Sequence, residues 1–111
     1  MTDTLPTTVT DYVAHRDAGE KRLTLGLFAP AAVVTDDGHS YTGRAEILVW
    51  LSTAASEYSY TSTRLGTETA VDGVIVTERL EGDFPGGVVD LRSIFSVDAE
   101  TGLIESLTIA P

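Results

Sequence analysis

A chain of 111 residues in which 42% of side chains are apolar and 22% charged is too apolar for disorder, and it has the length of one domain able to bury roughly two thirds of its unfolded surface. Seven Lys and Arg stand against seventeen Asp and Glu, a formal charge of −10. Neither a nucleic-acid backbone nor an anionic membrane is therefore expected as a partner, and the absence of Cys excludes disulfides, thiolate nucleophiles and cysteine metal sites.

In chain order, Leu5, Val9, Tyr12 and Val13 recur at helical spacing, with Asp11, His15 and Asp17 on the other side, which predicts a helix from about Pro6 to Ala18. Pro6 suits a first helical turn, and Gly19 suits the left-handed position just past a helix end. A second, shorter helix is predicted from Glu20 to Leu27, packing Leu23, Leu25 and Leu27, with Leu27-Phe28 closing it and Pro30 stopping it. Ala32-Val33-Val34-Thr35-Asp36 has the β-branched content of a strand, and Asp37-Gly38 is a turn signal. A third helix is expected from Arg44 to Ser56, burying Ile47, Leu48, Trp50 and Leu51.

Beyond that helix the period becomes two. Tyr58 to Thr69, Val74 to Phe84, Val88 to Val97 and Leu103 to Ile109 read as four antiparallel strands, with turns at Val71-Asp72-Gly73, Phe84-Pro85-Gly86-Gly87 and Asp98 to Gly102. The expected fold class is α+β: three N-terminal helices, with one strand inserted among them, packed on a strongly curved, mainly antiparallel sheet that encloses a pocket. Val89, Leu91, Ser93, Phe95 and Val97 share the face toward the helices. Val88 and Ile94, beside Asp90 and Arg92, form an apolar patch on the opposite face, where a homodimer contact is expected.

Tyr12-Val13-Ala14, Ala18-Gly19, Leu27-Phe28-Ala29 with Ala32-Val33-Val34, Asp36, Tyr41-Thr42-Gly43-Arg44-Ala45-Glu46-Ile47 and Gly102-Leu103-Ile104 together resemble the nuclear transport factor 2-like superfamily. Within it the pattern is similar to the ketosteroid isomerase and SnoaL-like polyketide cyclase branch, over nearly the whole chain. The resemblance implies a cone-shaped fold. It also implies a strand-end Asp as proton shuttle at Asp36 and a helix 1 Tyr donating to a developing oxyanion at Tyr12. The family's second, protonated Asp is missing, and its register falls at Ser93. One oxyanion donor can be worth about 3–4 kcal/mol of barrier, so Ser93 is the departure from the family's pattern that bears on steroid isomerisation. Relatives of this fold include dehydratases, epoxide hydrolases, cyclases and non-catalytic binding modules.

Asp36 carries two readings: a general base made more basic by lost hydration at the mouth of an apolar cavity, or simply the start of an Asp-Asp-Gly turn. Tyr12 is either core or pocket donor, and an amphipathic Tyr can be both. Val9, Phe28, Val34, Trp50, Leu91 and Phe95 are the expected walls of the ligand pocket. His15 lies on the polar side of its helix four residues after Asp11, His39 in a turn, and Arg16 either meets an anionic ligand or snorkels outward. The two His are too far apart for a zinc site, and there is no Walker loop, dinucleotide Gly fingerprint or nucleophile elbow. No metal and no cofactor are expected. No secretory pattern precedes Thr10 and no apolar run reaches membrane-spanning length, so the expected location is the cytoplasm. Two functions from different classes follow. One is a cofactor-independent isomerase, cyclase or dehydratase with an Asp base acting on a hydrophobic or ring-containing small molecule. The other is a non-catalytic ligand-binding or dimerisation module.

Overall fold

The computed structural model describes residues 6–53, 55, 57–70 and 73–111. Its elements in chain order are α1 (Thr7–Asp17), α2 (Lys21–Leu25), β1 (Phe28–Asp36), β2 (His39–Thr42), α3 (Gly43–Ser52), β3 (Tyr60–Ala70), β4 (Gly73–Gly82), β5 (Val88–Val97) and β6 (Ile104–Ala110). The strands form one six-stranded sheet in the order β2-β1-β6-β5-β4-β3, with β1 and β6 parallel and every other pair antiparallel. The α+β class therefore holds, with a mixed and open sheet. Only two helices precede the sheet, since the third follows a hairpin.

That hairpin is the largest departure from expectation. Asp37 and Gly38 have φ of 52° and 77°, the left-handed pair that a two-residue hairpin requires, so Asp36 pairs with His39 and the four residues His39–Thr42 become an edge strand. Four residues are too few for a periodic signal, and the sequence there reads as plain turn. Phe28 and Pro30 do not end a helix either: α2 closes at Leu25, and both residues lie in β1. The β1–β6 register shifts between Phe28 and Val33, and at such a bulge a Pro without an N–H is tolerated. Leu5 and the Val71-Asp72 turn lie outside the described residues, as do Ala54 and Ser56 at the far end of the third predicted helix.

Two predicted packing faces also change. Leu23 is 52% exposed, and the buried residue of α2 is Thr24, whose hydroxyl donates to the Glu20 carbonyl at 2.9 Å. A helix of five residues presents less than two turns, too short for a Leu stripe to fix its phase. In α3, Ile47, Trp50 and Leu51 are buried while Leu48 is 41% exposed. The helix is anchored by Arg44, whose Nε and Nη2 donate to the Phe28 carbonyl at 3.0 and 2.7 Å.

The ladder registers put inward side chains into rows across the sheet. Val34, Leu107, Phe95 and Val74 form one row, all at most 5% exposed, and α1 lays Val9 and Tyr12 over it. Tyr12 packs edge-on against Phe28 and Phe95, with ring centroids 5.9 and 5.3 Å away. Two residues further along each strand, Asp36, Ile109, Ser93 and Val76 form the next row. Here the core gives way to a cavity.

Candidate functional site

The cavity encloses about 570 Å³ between α1, α3 and the concave side of the sheet. One end is polar, lined by Tyr12, Arg16, Asp36, Tyr60, Glu78 and Ser93. Trp50, Ile109, Leu91 and Leu80 form its walls, and the mouth opens between Tyr58, Phe84, Pro85 and Val88. Tyr58 and Val88 are 41% and 54% exposed, so this end faces solvent.

Asp36 and Ser93 both pair with Ile109, one from each side, which sets their Cα atoms roughly 10 Å apart at ordinary strand spacing. Ser93 is 5% exposed. The Asp36 carboxylate is held from one side by α3: Trp50 Nε1 donates to Asp36 Oδ2 at 2.9 Å, leaving Oδ1 without a protein partner among the described residues. Trp50, expected as a pocket wall, thus also orients the acid. The spacing that allows this is the short β2 hairpin, which returns the chain so that α3 crosses beside the end of β1.

Tyr12 is 1% exposed, yet its hydroxyl has no hydrogen bond within the described residues. Among the described residues no side-chain oxygen or nitrogen sealed from solvent lacks a partner, so the unpaired Tyr12 hydroxyl faces the cavity. Burial pushes this phenol above its usual value of 10.0, and the nearby Arg16 charge works in the opposite direction. Tyr60 behaves alike, raised chiefly by burial and opposed by Arg16.

Arg16 does not snorkel. Its Nη1 and Nη2 donate to Glu78 Oε1 and Oε2 at 2.9 and 3.0 Å, a bidentate pair. Its Nε and Nη2 donate to Asp17 Oδ1 at 3.0 and 2.9 Å, and the guanidinium stands 5.8 Å from the centre of the Tyr12 ring. Burial alone would weaken the charge on Arg16, but the bond to Glu78 and the surrounding oxygens more than restore it.

Among the residues singled out from sequence, Asp36, Tyr12, Ser93, Trp50 and Leu91 line this one cavity. Val9, Phe28, Val34 and Phe95 do not: they are 0–1% exposed in the sealed row behind it. Val34 sits one inward position before Asp36 and Phe95 one inward position after Ser93, and the alternation of the strand cannot say where packing stops and space begins. His15 lies outside the cavity, with Nδ1 3.0 Å from Glu20, and His39 is exposed on β2. Glu78 and Tyr60 were missed. Glu78 carried a signal, a carboxylate at an inward position between Val76 and Leu80 in β4. Among the described residues no group of three His, Cys, Asp or Glu could hold a metal ion, and no helix is long and apolar enough to cross a membrane.

An open α+β cone with two helices laid across its concave side and a half-polar cavity at one end defines a class of small-molecule-sized pocket proteins. No family model matches the sequence, and no curated protein does. Solved structures do. A candidate polyketide cyclase from Sinorhizobium meliloti is 31% identical, with 96% of this chain and 95% of that one covered at a TM-score of 0.87. A Mycobacterium tuberculosis protein solved with estradiol-17β-hemisuccinate (18% identity, 97% and 95% covered, TM-score 0.80) shares the fold. So does Δ5-3-ketosteroid isomerase from Mycobacterium sp. (21%, 97% and 94%, TM-score 0.78). The chain belongs to the nuclear transport factor 2-like superfamily, in its branch of SnoaL-like polyketide cyclases and ketosteroid isomerases.

Proposed function

We propose that the cavity takes a small ring-containing, largely apolar ligand and that Asp36 moves a proton on it without a cofactor, in an isomerase, cyclase or dehydratase type of reaction. The observation that carries this reading is the meeting of Tyr12, Asp36 and Ser93 around one space. In this scheme Trp50 fixes Oδ2, and the free Oδ1 of Asp36 takes a proton from carbon next to a carbonyl. The oxygen gains negative charge as the enolate forms, and the Tyr12 and Ser93 hydroxyls donate to it. Asp36 then returns the proton to another carbon of the same ligand, so no further reactant is consumed. The estradiol-17β-hemisuccinate named with the mycobacterial neighbour has an apolar steroid ring system of the size class this reading calls for, extended by a hemisuccinate carboxylate.

A second reading, a non-catalytic ligand-binding or dimerisation module, is favoured by one feature. Beside Tyr12 stand a neutral Ser93 and a Glu78 committed to Arg16, rather than a protonated acid. On either reading the protein acts as one domain in the cytoplasm, without nucleic acid or membrane partners, and dimerises through the outer sheet face. Ligand binding is tested through Trp50, the single tryptophan, which lines the cavity. Titration with 2-tetralone should quench its fluorescence saturably and raise the melting temperature. Neither effect with 2-tetralone or larger ring ketones would contradict the reading.

A further inference from the structure

Among the described residues, Arg16 is the one cationic side chain that lines the cavity, whose lining also includes Asp36, Asp37 and Glu78. An unpaired guanidinium there would be a ready clamp for a ligand carboxylate. It is not unpaired. Both terminal nitrogens are engaged by Glu78, which is itself 5% exposed, and the remaining Nε faces Asp17. With Arg16 and Glu78 cancelling, Asp36 and Asp37 leave the wall negative. We propose that Glu78 is a specificity residue: by keeping the Arg16 fork occupied, it closes the cavity to carboxylate-bearing ligands and reserves it for uncharged or cationic ring compounds. This rests on the ligand-pocket reading above and adds the charge class of the ligand.

The geometry gives Glu78 no competing task. It cannot serve as an acid toward a ligand while both oxygens accept from a guanidinium, and its bond lies across the cavity wall from β4 to α1 rather than into the open space. Tyr12, Tyr60 and Ser93 then offer only neutral hydroxyls to a ligand, which can meet a carbonyl or hydroxyl but cannot neutralise an anion.

The test uses three probes of one shape, 2-naphthylmethanol, 2-naphthylmethylamine and 2-naphthoate, titrated against Trp50 fluorescence in the wild type, Glu78→Gln and Arg16→Met/Glu78→Gln proteins. The wild type should bind the alcohol and the amine, and bind naphthoate at least about tenfold more weakly. Glu78→Gln keeps the shape and removes the charge, so naphthoate should gain about tenfold relative to the alcohol. The gain should vanish in the double variant. Naphthoate binding the wild type as well as the alcohol does would overturn the proposal, whether or not the variants fold. An unchanged ratio in a folded Glu78→Gln protein would overturn it too. If no probe binds the wild type at all, the pocket reading falls, and this proposal with it.

Discussion

Replacing Trp50 by Phe isolates the link between α3 and the acid. Two terms set its cost. The Nε1 bond to Asp36 at 2.9 Å has a charged acceptor, for which about 1.5–3 kcal/mol is usual. Asp36 opens on the cavity, so water can replace the lost donor, and the lower end, about 1.5 kcal/mol, applies. The indole is 2% exposed, and the smaller ring leaves roughly 40 Å³ unfilled, about 1 kcal/mol at the usual cost of cavity volume. The sum of about 2.5 kcal/mol corresponds to a fall of about 10 °C in melting temperature for a chain of this length. Calorimetry on Trp50→Phe, Asp36→Ala and the double variant separates the two terms, because only the hydrogen bond is shared. The expected coupling is about 1.5 kcal/mol. Additivity within about 0.5 kcal/mol would refute the claim that Trp50 holds the carboxylate.

Tyr12 should titrate above the ordinary tyrosine range in an ultraviolet difference titration, because burial raises it. Since the folded-state value lies above the unfolded one, its contribution to stability is complete below pH 10 and is lost as pH rises beyond; Tyr12→Phe should flatten the alkaline limb of stability against pH. Gly73→Ala should unfold the protein or cost several kcal/mol in urea denaturation, roughly 3 or more, because its Cβ would lie 1.7 Å from the Phe95 carbonyl oxygen. Sedimentation at high micromolar concentration should show a dimer, and a charge placed at Ile94 on the outer face should shift it to monomer. A wild-type monomer would count against the dimer.

The period change after the third helix was enough to read the four long strands, and the two-residue alternation of β5 placed Ser93 on the inward face with no help from structure. Legibility failed where the physics is non-local. Pro30 reads locally as a helix stop because proline's local effect is strong, whereas a bulge opposite β6 is what accommodates it. The same holds for Glu78, an inward carboxylate whose partner lies 62 residues earlier on α1. The division between Phe95 and Ser93, one in the sealed core and one on the cavity, depends on where α1 ends its cover, which strand periodicity does not encode.

The role of Asp36 as a base is tested most directly by hydrogen exchange rather than by turnover of a guessed substrate. With 2-tetralone in deuterium oxide, proton NMR follows loss of the signals next to the carbonyl. The wild type should accelerate that exchange above buffer, and Asp36→Asn, which keeps the acceptor toward Trp50 Nε1, should fold and bind but exchange no faster than buffer. Equal acceleration by the wild type and Asp36→Asn, or none by a wild type that binds the ketone, would contradict it.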